Sequence, residues 1–535
     1  MKVYSCSSSE SPLRKCHSFF VLLSILACMG CAAFASAPAK TAANDPLLFP
    51  QDQFKLETKT VKMPEGEKKV TYRYYQHILY VTKPVDKEYQ SLDVKVPVSI
   101  DGVAVDASHA PILFVVAIGG YNSSSNYKVG GPMGGPGGPG GPGGPGGPGG
   151  GPGGPGGPTG GAFMGAPGTM GPNAIPEMAL ASGYVIVTPG ARGRDNKAAD
   201  GTFYGKAPAA IVDLKAAVRY IRHNAGILPG NSEQIISSGC SAGGAYSSLL
   251  GASGNSPLYE PYLKEIGAAE GQDNIFASGC GSPVTDLDHA DTSYEWAFGA
   301  SKPRFGTIDQ EASAQLKAQF TNYQASLNLQ GKDGFGTINV NNLDNYLVKE
   351  YFAPAAKKFL LGLSDDKRKE YLEKNPWLSW DGKEAKFTYA DLAAQHITRM
   401  KMPPAFDSFK LSAPENNEFG DKTIASRHFT NYSLQHETGN PNATIDLELQ
   451  KAVNMTNPMY FLGQKNPGAA QHWWIRHGAI ETDSAPTNTV NLALSLENMG
   501  RDVNAAIYWD AGHCQDLDPQ GFIAWIGKIT GYKLK

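Results

Sequence analysis

One serine in this chain of 535 residues stands in a setting suited to nucleophilic attack. Gly239-Cys240-Ser241-Ala242-Gly243 has the G-x-S-x-G spacing, follows the strand-like run QIISSG (234–239) and leads into a helix. The glycines permit a tight turn in which the serine backbone is strained and its Oγ stands clear of the sheet. A serine hydroxyl is a weak nucleophile, so the chemistry also needs an imidazole base and a carboxylate to orient it. With this elbow the chain order is serine, acid, histidine, each after a later strand. His513 directly follows the last strand-like run, where the base belongs. His77, His109 and His223 precede the elbow, and His289 and His396 lie in or near a segment of different character. Glu481 and Asp483 compete as the acid, because both follow the preceding strand and point the same way along an extended segment. Asp286, Asp288 and Asp291 are a third option; their spacing lacks a calcium-loop pattern, and a solvated acidic turn describes them better. No metal or cofactor is expected.

A tetrahedral intermediate needs preorganised backbone donors for its oxyanion. The N–H of Ala242 is one, and an N–H in the Gly119-Gly120-Tyr121 turn, at Gly120, is the natural second. Cys240 precedes the serine and Cys514 follows the histidine. If Ser241 and His513 meet, these neighbours are close enough for a disulfide, which would fix the nucleophile loop to the base loop. Cys280 is then left over, buried and inert.

These residues need elements to position them. Residues 69–118 read as strands: TYRYYQHILYV is aromatic and β-branched, SLDVKVPV alternates, and Ile112 to Ile118 is a continuous apolar run like a buried central strand. YVIVTPG (184–190) is another such run. In 207–224, Ile211, Leu214, Ala217, Val218 and Ile221 fall on one helical face. Strand, helix, strand, turn, helix is the grammar of a mostly parallel α/β sheet. From about 290 to 450 amphipathic stretches such as 362–375 alternate with loops, which reads as an inserted, mainly helical cap. Sheet pattern returns at HWWIRHGAI (472–480) and NAAIYWDAGH (504–513), and 519–530 suits a closing helix. The expected core is therefore 36–289 plus 451–535, with the cap at 290–450 between.

Composition bounds the rest. With 41% hydrophobic and 10% aromatic residues the chain can build a sizeable core. A net charge of −3 without basic excess argues against nucleic acid as the main partner. Glycine is plentiful at 62 residues, but the surplus sits in one Gly-Gly-Pro tract over 130–161, which reads as a flexible, extended surface insertion. Arg14 and Lys15, the apolar run Phe19–Phe34 and Ala33-Phe34-Ala35 read as a cleaved secretory signal over 1–35. A lipoprotein anchor at Cys28 is the rival, since Ile25-Leu26-Ala27 loosely resembles a lipobox. No later stretch is apolar enough to span a membrane. The mature protein is thus expected to be secreted or periplasmic, where a disulfide persists.

Several segments together resemble the bacterial tannases, α/β-hydrolases with a large inserted cap: TYRYYQHILYVTKPVDKEYQSLDV, GKAPAAIVDLKAAVRYIRHN, GCSAGG, SPVTDLDHADTSYEW, PAFDSFKLSAPENNEFG and IRHGAIETDS. The resemblance runs through most of the mature chain and leaves out the Gly-Gly-Pro tract. It implies Ser241 as nucleophile, His513 as base and Glu481 as triad acid, where the family has aspartate. It also implies that Asp483, Lys401 and Glu415 hold the three hydroxyls of a galloyl ring. Two carboxylates and an ammonium suit such a ring, which donates and accepts. The Cys-Ser…His-Cys arrangement resembles instead the fungal tannase and feruloyl esterase family. The expected partner is a small-molecule or polyphenolic ester, with galloyl esters first. A feruloyl or other phenolic ester comes second, and a serine peptidase or an inactive binding protein is more remote.

Overall fold

Ten strands form one sheet among the described residues of the computed structural model, 45–127 and 174–534. The expected signal segment and the Gly-Gly-Pro tract lie outside those residues. The strands are β1 (Lys55–Met63), β2 (Gly66–Leu79), β3 (Ser91–Ile100), β4 (Val103–Ala104), β5 (Ile112–Val115), β6 (Val185–Pro189), β7 (Ile235–Cys240), β8 (Ala277–Gly281), β9 (His472–Gly478) and β10 (Asp502–Tyr508). Their order is β1-β2-β3-β6-β5-β7-β8-β9-β10, with β4 on β3. The first strands pair antiparallel, as does β3 with β6; every pair from β6 to β10 is parallel.

The apolar runs occupy the parallel centre because both faces there are covered. Along β5 to β7, Phe114, Val187 and Ile235 pack with helices α2 (Ala209–His223) and α3 (Ala242–Ala252) on one face. Leu113, Ile186 and Ile236 pack on the other with α1 (Ala174–Ala181) and the closing helix α6 (Pro519–Thr530). Two further core helices are α4 (Leu287–Phe298) and α5 (Pro486–Asn498). A mainly parallel sheet between helical layers, with the elbow after a central strand, is the α/β-hydrolase fold.

Helix α2 buries its predicted apolar face, but its polar face is buried too. Lys215 Nζ reaches Asp273 Oδ1 at 2.8 Å and Ser253 O at 2.9 Å, and Arg219 Nη2 reaches Asp273 Oδ2 at 2.8 Å. Asp213 takes the Arg192 guanidinium at 2.9 and 2.8 Å and the Gln90 amide at 2.8 Å. Charges can be buried this deeply only because each finds a partner.

Between 299 and 450 the regular structure is mainly helical, as in Gln310–Ser326, Ala353–Gly362 and Leu447–Thr456; strands there are two-residue pairs. Helix α4 runs without a break across residue 290, where the expected cap boundary lies. It is tied to the following segment by the buried Glu295, whose Oε2 accepts from Arg399 Nη1 at 3.0 Å.

Asp273→Asn should keep the shape of this core and leave the buried Lys215 without a carboxylate partner, while Arg219 keeps Glu260. Urea unfolding is expected to show a loss of about 3–5 kcal/mol.

Candidate active site

The chain leaves β7 at Cys240 and enters α3 at Ala242, and Ser241 makes the turn alone at φ 61°, ψ −127°. A β-carbon at Gly239 would lie 2.3 Å from the Gly243 carbonyl oxygen, and one at Gly243 would lie 2.6 Å from that of Val116. The glycines are therefore demanded by backbone contact. The turn is held by the Ser241 N–H on Gly281 O at 3.0 Å and the Val284 N–H on Ser241 O at 3.3 Å.

His513 follows β10. Cys240 and Cys514 form a disulfide with their Cα atoms 5.8 Å apart, 274 positions separated in sequence. It brings the segments of Ser241 and His513 together. Cys280 is buried and free, and burial pushes its thiol up to about 12.

Burial and distance separate the two carboxylates that sequence leaves equal. The Glu481 side chain is 0% exposed with Oε1 2.9 Å from His513 Nδ1; that of Asp483 is 46% exposed, 3.9 Å from the same nitrogen. Glu481 also accepts from Ser484 Oγ at 3.0 Å. Burial alone would raise its pKa, but His477, His513 and the Ser282 hydroxyl outweigh burial and hold the carboxyl at about 2. Burial also lowers the pKa of His477, against the pull of Glu481. For His513 burial works downward, but Glu481 and then Asp483 overcome it and raise its pKa above the ordinary value.

A cavity of about 540 Å³ opens over the serine, lined by Ser241, Ala242, Gly120, Lys401, Glu415 and Asp483 among others. The predicted oxyanion residues and the predicted ring-binding residues thus share one space. Lys401 Nζ stands 3.8 Å over the Phe406 ring, and its backbone is fixed by the Arg399 guanidinium on its carbonyl at 2.9 Å. Glu415 is buried, with Oε2 lacking a hydrogen-bond partner. Burial raises its pKa, opposed by Lys401 and Arg194. An unsatisfied buried carboxylate beside a cavity is an acceptor waiting for a donor.

The reading of Asp286, Asp288 and Asp291 as a solvated turn is corrected: Asp286 and Asp291 are 1% and 3% exposed. Asp286 bonds His289 Nδ1, Tyr323 and Asn457, and Asp291 accepts the N–H groups of Phe406 and Asp407 at 2.7 and 3.1 Å. They tie helix α4 to Tyr323, to Asn457 and to the backbone at 406–407. Asp286, Asp288 and His289 are close enough together to suit a cation, but their atoms are already engaged with one another and with Asn457.

Sequence reading passed over Arg194 and Lys206, behind the Gly120 turn. Arg194 Nε donates to Gly120 O at 2.7 Å, and Lys206 Nζ to Arg194 O at 2.9 Å. The available signal was position: Pro189-Gly-Ala-Arg-Gly-Arg-Asp195 leaves the carboxyl end of a parallel strand, where such sheets place their sites.

A family model described as BD-FAE matches residues 159–295. Among curated proteins nothing matches significantly. Solved structures do. A tannase from Fusobacterium nucleatum is 32% identical with TM-score 0.72, covering 90% of this chain and 99% of that one. A tannin acyl hydrolase from Lactobacillus plantarum is 31% identical with TM-score 0.74 and the same coverage. A tannin acyl hydrolase in complex with ethyl gallate is 32% identical with TM-score 0.73, again at 90% and 99%.

A base must be neutral to accept a proton, and the His513 pKa is raised. Hydrolysis, read as kcat/KM against pH, should therefore rise through a midpoint above about 6.5, the ordinary histidine value. Glu481→Gln should move that midpoint down and lower kcat by about 10³–10⁴.

Proposed function

The chain belongs to the tannases, and from that premise we propose that it is a serine esterase that cleaves galloyl esters to gallate and an alcohol. The observation that carries this reading is the meeting of Lys401, Glu415 and Asp483 in the cavity that holds Ser241. A ring with three adjacent hydroxyls can donate to both carboxylates and accept from the ammonium. A ring without them leaves Glu415 buried and unpaired, a larger penalty than a lost apolar contact.

Ser241 Oγ attacks the ester carbonyl as His513 takes its proton, and Glu481 keeps the imidazole oriented and stabilises its charged form. The N–H of Ala242 and a backbone N–H of the Gly120–Tyr121 turn hold the oxyanion. His513 then protonates the departing alcohol. Water, activated by the same imidazole, attacks the acyl-enzyme and releases gallate, and Ser241 regains its proton. No step calls on a metal or cofactor.

The proposal includes export to an oxidising compartment. It is supported by the signal-like segment before Ser36 and by the Cys240–Cys514 disulfide. No described helix is long and apolar enough to cross a membrane.

The test is hydrolysis of methyl gallate and methyl ferulate by the chain from Ser36, beside Ser241→Ala. Gallate cleavage lost by about 10⁴-fold or more in the variant, with ferulate untouched by the parent, is expected. Ferulate cleavage without gallate cleavage would overturn the ring-binding roles of Lys401, Glu415 and Asp483. Glu415→Gln should raise KM for methyl gallate by about tenfold, the worth of one charged hydrogen bond.

A further inference from the structure

Gly120 and Tyr121 both have positive φ, 55° and 60°, and both line the cavity beside Ser241. Glycine takes that conformation freely; a tyrosine takes it only where its surroundings hold it. Here the Tyr121 hydroxyl donates to Val284 O, and both carbonyls of the dipeptide accept from one residue. Arg194 Nε donates to Gly120 O at 2.7 Å, and the Arg194 N–H donates to Tyr121 O at 3.0 Å.

The support behind Arg194 is equally close. A β-carbon at Gly193 would lie 2.1 Å from Ser123 N, so this loop packs backbone to backbone against the turn. Asp195 accepts the Ser123 N–H at 2.6 Å and the Ser123 hydroxyl at 2.9 Å. Lys206 Nζ donates to Arg194 O at 2.9 Å and to Asn417 O at 2.8 Å, and Arg194 Nη1 reaches Asn417 Oδ1 at 3.4 Å. Asn417 shares the short helix Pro414–Glu418 with Glu415.

In a trans peptide the carbonyl and the following N–H point in opposite directions. Anchoring Gly120 O on the guanidinium therefore also sets the direction of the Tyr121 N–H. We propose that Arg194 is a positioning residue of the oxyanion hole, holding the Gly120–Tyr121 peptide so that its N–H meets the ester oxygen as Ser241 adds to the carbonyl. The inference rests on the serine esterase reading. Arg194 touches no reacting atom, and its effect belongs to the state in which the oxygen carries charge.

The test compares Arg194→Ala and Arg194→Lys with the parent, using methyl gallate turnover, inhibition by a phenylboronic acid and inhibition by gallate. The boronic acid forms a tetrahedral anion on Ser241, whereas gallate needs only the ring site. For Arg194→Ala we expect kcat to fall about 10–100-fold, boronate inhibition to weaken in parallel, and KM and gallate inhibition to stay within about threefold. Arg194→Lys, keeping one side-chain donor, should recover part of the loss; it also carries the comparison if Arg194→Ala does not fold. A kcat within about threefold of the parent, or gallate inhibition weakened as much as boronate inhibition, would overturn the proposal. An active Ser241→Ala in the same assay would instead sink the esterase reading itself.

Discussion

The site depends on how closely three backbone segments meet around Ser241. The Gly239, Gly243 and Val116 backbones touch where any side chain would intrude, and Gly281 receives the serine N–H from the next strand. That contact forces the serine into a conformation other residues avoid, and it sets the start of α3 and the end of β5 relative to each other. The remaining parts are arranged about that fixed point. The Gly120 turn continues from the end of β5, Glu481 follows β9 and His513 follows β10, so strands of one sheet deliver each group to one edge.

The interior holds two kinds of buried charge, which differ in how fully they are satisfied. Asp407 accepts from Asn416, His428, the Phe429 and Thr430 backbone and the Thr430 hydroxyl, and Lys215 shares Asp273 with Arg219. Such groups are closed and act as internal fasteners. Glu415 and Glu418 are as deeply buried, yet each keeps one oxygen without a partner. Burial pushes the Glu418 carboxyl up to about 7 despite Tyr246, Lys206 and Arg194. Both lie on the short helix Pro414–Glu418, which Lys206 and Arg194 tie to the Gly120 turn, and Glu415 lines the cavity.

Elements whose pattern is local could be read from the amino acids. The apolar runs at 112–118, 184–190 and 234–239 are central strands, 209–223 and 519–530 are helices, and the glycine spacing marks the elbow. What could not be read depends on partners far away in sequence. Nothing local distinguishes Glu481 from Asp483; the difference is that one side chain is buried against His513 and the other opens to the cavity. Asp286 and Asp291 look solvated because acidic residues in a turn usually are, and their partners Tyr323, Asn457 and Phe406 come from segments far along the chain. The polar side of α2 misleads for the same reason. Arg194 announces itself only by the edge of the sheet it leaves.

The disulfide has a further bearing on chain topology. Its two ends lie beside Ser241 and His513, and the 273 residues between them include all of 290–450. That stretch is a covalent ring closed beside the cavity. Its outer arc carries exposed helices such as Asp365–Lys374, which has no buried residue. A single proteolytic nick in that arc would yield two polypeptides that still travel as one molecule, with the elbow on one and His513 on the other. The bond that joins Ser241's segment to His513's therefore outlasts a cut in the exposed arc.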